Sequence, residues 1–106
     1  MTDFKWSDAE KKIARRAFDV ALQSELAALL KQLKGRAAKA EAPEDIWAIQ
    51  DYLAEQRRSI DEKYDYRYSQ LIVVFGRLLR ERWLEDKDIE GLAEEKLQHI
   101  RHIASF

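Results

Sequence analysis

The chain of 106 residues carries 19 Lys+Arg against 20 Asp+Glu, a net charge of -1, with 37% charged and 46% hydrophobic residues. That length is one domain's worth. The polar fraction and the lack of any run approaching ~18 apolar residues exclude a membrane-spanning helix. The aromatic and aliphatic content excludes a disordered chain. Zero Cys excludes a disulfide scaffold, a thiolate zinc site and a cysteine nucleophile. No charged-then-apolar leader opens the sequence, so a cytoplasmic protein is expected. Residues 1–53 hold 9 basic and 9 acidic side chains and residues 54–106 hold 10 and 11. That even spread lacks the basic excess from which a nucleic-acid binder draws its affinity, and no nucleic-acid partner is expected.

One Pro and three Gly are too few for the turns of a sheet, so the composition predicts an all-α protein. The first helix opens on a capping box, Ser7 and Glu10, with Trp6 placed to staple it. Its apolar stripe runs Ile13, Ala14, Ala17, Phe18, Ala21, Leu22, Leu26, Leu29, Leu30, Leu33 at spacings of three and four. Gly35 is its expected fray or end point. Pro43 suits the first position of a second helix, and Glu44 and Asp45 favour its positive dipole end. This helix is expected from Pro43 to about Glu85, with Gly76 as its one weak point. A last helix is expected from about Asp88 to Ile103, with the stripe Ile89, Leu92, Ala93, Leu97, Ile100, Ile103, and with Gly91 weakening its first turn by about 1 kcal/mol.

An unbroken second helix would be about 60 Å long, against a radius of gyration of about 13 Å for a compact domain of this size. It must break near Gly76, or a partner must cover it, or both. Its midsection, Glu55 to Arg67, is mostly charged residues and Tyr, with opposite-sign pairs Arg57–Asp61 and Arg58–Glu62. A polar midsection between apolar ends suits a protruding arm paired antiparallel with a second copy. The predicted architecture is therefore a single helical domain forming a homodimer, with arms and dimer interface over about 7–80 and a small helical head formed by about 81–106 with the end of the second helix. Ile46, Ile49, Leu53, Ile60 and Tyr64 share one face, the core or dimer seam. Trp47, Gln50, Asp51, Ala54, Arg57 and Asp61 share another, which has the aromatic-plus-Arg make-up of a binding hot spot. The plainer alternative is that Trp47 caps a core and Arg57 only pairs with Asp51 or Asp61.

The run Asp45-Ile46-Trp47, Asp51-Tyr52-Leu53, Arg57, then Ile60-Asp61-Glu62-Lys63-Tyr64-Asp65-Tyr66-Arg67-Tyr68-Ser69 resembles the fluorescence recovery protein family of cyanobacteria. Trp6-Ser7, Val74-Phe75, Leu78-Leu79, Glu81 and the Lys96 region fall in the same register. The resemblance implies an all-helical homodimer with long arms and a small head, and a non-enzymatic regulator without cofactor or metal. Its partner would be the photoactivated orange carotenoid protein, bound mainly at the C-terminal domain. Binding would speed the red-to-orange return and end quenching of phycobilisome fluorescence. The resemblance places Trp47, Asp51 and Arg57 in the partner-binding patch, with Gln50 standing where the family has His. It places Ile46 in the dimer seam, where Leu is usual, and Phe75 in the head. Val73 stands at a partner-contact position held by Phe in a relative, His99 replaces a Lys, and Ile103 replaces a Leu. Arg82-Trp83 stand where the family often has Gly and an aliphatic residue. These departures leave open a relative of the family that serves a different partner in a bacterium without phycobilisomes.

Other chemistry is weaker. Glu95, His99 and His102 lie along one helix, as part of a metal site can, but no further ligand cluster adjoins them. Asp61, Glu62 and Asp65 read as helix salt-bridge partners rather than an acid/base pair, and no phosphate loop or nucleophile motif is present. Lys11, Lys12, Arg15 and Arg16 make a poor interfacial helix among their acidic neighbours, and peripheral contact with a thylakoid surface is only what the resemblance to a cyanobacterial family implies.

Overall fold

Helix α1 spans Asp8–Lys39, and its start is the predicted capping box. The Glu10 amide donates to Ser7 Oγ at 3.1 Å, and the Ser7 amide donates to Glu10 Oε1 at 3.1 Å. The computed structural model describes residues 4–106. Gly35 does not end the helix. A Cβ added there would meet no other side chain or neighbouring element within 4 Å, and Arg36 and Lys39 complement the negative dipole end in the last turn.

A short loop leads to α2, Glu44–Lys63. Asp45 Oδ2 accepts from the amides of Glu41 at 2.8 Å and Ala42 at 2.9 Å, which holds its carboxyl below the usual range. The Arg36 guanidinium lies 3.6 Å from the Tyr52 ring centroid and ties α2 back onto α1. Together α2 and the second half of α1 form the helical arm.

The predicted continuous helix to Glu85 is not formed, and Gly76 is not where it breaks. The chain leaves α2 at Tyr64 (φ -92°, ψ 74°) and resumes as α3, Leu71–Arg80. The reason is tertiary. Tyr64 and Tyr66 lie on the non-helical stretch and Tyr68 in the turn after it, and all three rings pack at or beside the first half of α1. Phe18 receives Tyr64 and Tyr66 edge-on at 5.4 and 4.9 Å, and Trp6 meets Tyr68 at 5.8 Å. Trp6 thus packs on this segment and on the head rather than only stapling its own helix. Gly76 is a packing residue, since a Cβ there would lie 2.5 Å from Ile103 Cγ2 where α3 meets α4.

The predicted last helix is also divided. Asp86–Ile89 is a 3-10 turn, and α4 spans Glu94–Ala104. Gly91 separates them at φ +102°, a left-handed conformation costly to other residues. The stripe still works: Ile89, Leu92, Leu97 and Ile100 are buried, whereas Ala93 caps α4 and is exposed.

The core joins Ala14, Ala17, Phe18 and Ala21 of α1 to Leu71, Phe75 and Leu78 of α3, with Leu84, Ile89 and Ile100. The alanines let α3 and its neighbours come close to α1. The head therefore contains the first half of α1 and all of α3, and does not begin near residue 81. The molecule measures 53 × 26 × 26 Å with a radius of gyration of 16.7 Å, the elongation expected of a projecting arm.

After α3 the chain turns at Arg82, φ +69°. The Trp83 amide donates to Leu78 O at 2.9 Å and the Arg82 amide to Leu79 O at 3.1 Å, a Schellman closure whose left-handed position suits Gly. That accounts for the Gly the resemblance places there. Arg82→Gly is expected to stabilise the protein by about 0.5–1 kcal/mol, the relief of left-handed strain less the greater freedom of the unfolded chain. A higher urea midpoint at unchanged slope is the check.

Candidate functional site

The arm carries an apolar surface that the chain itself does not cover. Leu22, Leu26 and Leu29 of α1 face Leu53, Arg57, Ile60 and Asp61 of α2 across a groove of about 460 Å³. A second groove of about 450 Å³, lined by Ile46, Ile49, Gln50, Leu53, Ala54 and Arg57, continues it. Leu53 and Arg57 belong to both. Ile46 is 60% exposed and Trp47 63%, with Leu26 and Leu30 also exposed. Because these side chains are contiguous and not scattered, the strip is the candidate interaction surface of the chain.

The predicted seam residues divide. Ile46 is free, and Ile49 and Leu53 are half-buried. Ile60 is only 8% exposed, so packing at the base of the arm already covers most of it. Trp47, Gln50, Asp51 and Arg57 are all exposed on α2. Trp47 therefore caps no core. Arg57 Nε lies 3.8 Å from Asp61 Oδ2, and both side chains are well exposed. Such a pair contributes little to stability, which leaves the guanidinium available to a partner.

The resemblance implies a head contact with the partner through Val73, Phe75, His99 and Ile103, and the structure separates these four. Val73 is 53% exposed. His99 is exposed, with Phe4 edge-on at 5.1 Å. Ile103 is half-buried over Gly76. Phe75 is 0% exposed at the centre of the head, so its side chain is a core element and has no surface to offer. Glu95, His99 and His102 do not converge, and among the described residues no group of three His, Cys, Asp or Glu is placed to hold a metal. No described helix is long and apolar enough to cross a membrane.

Two buried lysines were not legible in the sequence. Lys63, its side chain 3% exposed, donates to Glu25 Oε2 at 2.6 Å and to Glu81 Oε1 at 2.7 Å. Tyr64 Oη donates to Glu25 Oε1 at 2.8 Å, and Arg77 holds Glu81 at 2.8 Å. Burial, and then the Glu25 hydrogen bond, push the Tyr64 phenol well above its ordinary range. Burial works to raise the Glu81 carboxyl, but Lys63 and Arg77 outweigh it and hold it low. This cluster joins arm and head. Lys96 donates to both Glu10 oxygens, at 3.1 and 3.0 Å, and to Lys5 O at 2.6 Å, and so fastens α4 to the start of α1. These partners are far apart along the chain, so helical spacing carries no trace of them.

A family profile described as "Photoprotection regulator fluorescence recovery protein" matches residues 6–104. The chain belongs to the fluorescence recovery protein family. It is 36% identical over 99 residues to the fluorescence recovery protein of a Synechocystis strain, covering 93% of this chain and 91% of that one. The solved structure of the Fremyella diplosiphon fluorescence recovery protein superposes with a TM-score of 0.90 at 36% identity, over 96% of this chain and all of that one. The Synechocystis fluorescence recovery protein structure matches with the same TM-score at 35% identity and 96% coverage of this chain. Membership makes this protein a photoprotection regulator of all-α fold. The bend at Tyr64–Gln70 and the uncovered arm thus belong to a family member's fold.

Proposed function

We propose that this protein is a homodimeric, non-enzymatic regulator that binds the photoactivated orange carotenoid protein, or a homologue of its C-terminal domain, and speeds its relaxation. The observation that carries this reading is the arm: one continuous apolar strip with Trp47 and Arg57 at its edge, unused within the chain. A second copy covers the strip formed by Ile46, Ile49, Leu53 and the leucines of α1. The partner then meets Trp47, Gln50, Asp51 and Arg57 beside that seam. Val73, His99 and Ile103 offer a second contact on the head, and the protein acts in the cytoplasm. The mechanism is differential binding. A scaffold that holds the separated domains of the activated form on the route to closure lowers that barrier, provided it releases the closed product.

The deciding experiment follows loss of red absorbance after photoconversion of an orange carotenoid protein, with and without this protein. Acceleration at substoichiometric amounts supports the reading. No acceleration moves the native partner elsewhere and favours a family relative with another client, for which the altered Val73 is the motive. Ile46→Glu is expected to halve the mass seen by light scattering, because a carboxylate cannot be buried unpaired in the seam. An unchanged mass refutes the seam. Trp47→Ala is expected to slow recovery roughly tenfold or more, with the melting temperature nearly unchanged, as for an exposed aromatic hot spot. Full activity at equal protein would make Trp47 a bystander.

A further inference from the structure

The outer side of α1 carries a second regular row besides the apolar stripe. Lys12, Arg16, Val20, Gln23 and Ala27 follow at steps of four, four, three and four, and Lys31 and Lys34 extend the row at four and three. All of them are exposed, Val20 by 42%. They lie about 180° round the helix from the alanines of the core and the leucines of the groove. No acid stands on this row. Asp8 is in the first turn, and the other acids of α1 are engaged elsewhere: Glu10 by Lys96 at 3.0 Å, Asp19 by Arg15 at 3.3 Å and Glu25 by Lys63 at 2.6 Å. Among the described residues, none of Lys12, Arg16, Lys31 and Lys34 is ion-paired. Elsewhere the helices set an acid one turn after a base, as at Arg57–Asp61 and Arg77–Glu81. Here like charges stand one turn apart, Lys12 with Arg16 and Lys31 with Lys34, an arrangement that weakens a helix. Acids outnumber bases in the chain, 20 to 19, so composition does not explain an acid-free face about 33 Å long.

We propose that this face of α1 docks an acidic helix of a partner protein, laid along its length. The charge falls at two poles. Lys12 and Arg16 stand beside the head, Lys31 and Lys34 on the arm, with about 22 Å of helix from Arg16 to Lys31. Between the poles lies a neutral floor of Val20, Gln23 and Ala27. Side chains this small let a second helix axis approach to about 8–10 Å. Its apolar residues then cover Val20 and Ala27, and carboxylates near its two ends reach the poles. Complementary charge placed in this way fixes register and speeds encounter. Nucleic acid fits the face poorly. A duplex carries a charge every ~1.7 Å and would meet a neutral gap in the middle of the row. A lipid surface fits poorly too, because the row has no aromatic or long aliphatic side chain to insert. The face is separate from the Trp47 patch, and a copy seated in the groove would lie on the opposite side of α1 and leave it open.

The test uses two alanine-rich helical peptides of the same composition. One carries a pair of Glu near each end, about 15 residues apart to match the poles, and the other gathers all its Glu at the centre. Each is titrated into the isotope-labelled protein at low ionic strength while backbone amide shifts are followed by nuclear magnetic resonance. The end-charged peptide is expected to shift amides from Lys12 to Lys34 and to bind at least about tenfold more tightly than the centre-charged one. Lys12→Glu with Arg16→Glu, and Lys31→Glu with Lys34→Glu, are each expected to lose at least about tenfold of that affinity with the melting temperature nearly unchanged, as for exposed side chains. If either double variant does not fold, Gln at the same positions is read by the same criterion. Trp47→Ala, on α2, is expected to bind the peptide as wild type does. The probes contain no carotenoid protein, so the outcome is independent of the regulator reading. Equal affinity for the two peptides overturns the proposal, as does the absence of shifts along Lys12–Lys34. Tighter binding of phosphatidylglycerol vesicles or of duplex DNA than of the end-charged peptide also overturns it, and assigns the face to lipid or to nucleic acid.

Discussion

Phe75→Ala is expected to cost about 3–5 kcal/mol of folding stability, the range for removing a fully enclosed phenylalanine. The ring is completely buried among the other core side chains of α1, α3 and α4. Gly76 beside it already lets Ile103 come so close that the surrounding helices have little room to collapse into the void. Urea unfolding measures the loss. The result also separates two roles, since the resemblance places Phe75 among the head residues that meet a partner. A core role predicts that activity at saturating protein survives in the fraction that remains folded. Val73→Ala, at an exposed neighbour, should leave stability within about 0.5 kcal/mol of wild type. Loss of activity in Phe75→Ala with unchanged stability would return Phe75 to the contact surface.

Lys96→Ala is the second large effect, at about 3–5 kcal/mol near neutral pH, because it strands the buried Glu10 carboxylate and the Lys5 carbonyl. Burial alone would raise the Glu10 carboxyl. The amides of Ala93 and Ser7 and the Lys96 ammonium outweigh it and lower it from 4.5 to about 2. A folded value below the unfolded one means the stabilisation is complete above about pH 4.5 and is lost as pH falls toward about 2. Its full size is on the order of 3 kcal/mol. Removing Lys96 takes away part of that depression. The gap between wild type and variant should therefore be widest at neutral pH and shrink below about pH 4.5. Unfolding curves at neutral pH and at about pH 3 test this. A gap of equal size at both would assign the loss to packing of the lysine stem and not to the ion pair.

The arm patch was the most legible part of the site. Helical phase alone put Ile46 and Trp47 on adjacent faces of α2, and both are exposed there. Phase could not show that Ile60, on the same face as Ile46, is covered at the base of the arm. Phase does separate Val73 from Phe75 within α3, since alternate residues of a helix lie about 200° apart, and one faces solvent and the other the core. The stripes of the head hold at Ile89, Leu92, Leu97 and Ile100, which are buried, and fail at Ala93, which is exposed; Gly76 and Gly91 have other tasks than their sequence context suggests. Gly76 was expected to break a helix and instead admits Ile103 at close range, while Gly91, expected only to weaken a helix, separates two.

The sequence by itself determined the local properties of this protein: an all-helical chain, a first helix begun by Ser7 and Glu10, the Pro43 entry to the second, and the apolar stripes that build the head. These follow from interactions between residues a turn or so apart, which spacing records directly. Tertiary structure alone decided where the second helix stops. Residues 64–70 are compatible with helix, and it is Phe18, Trp6, Glu25 and Arg15, all far back on or beside α1, that draw three tyrosines to one side. The burial of Lys63 and Lys96 was decided in the same way. A charge leaves water only where carboxylates from distant segments meet it, and that meeting exists only once α1, α2 and the head are packed together.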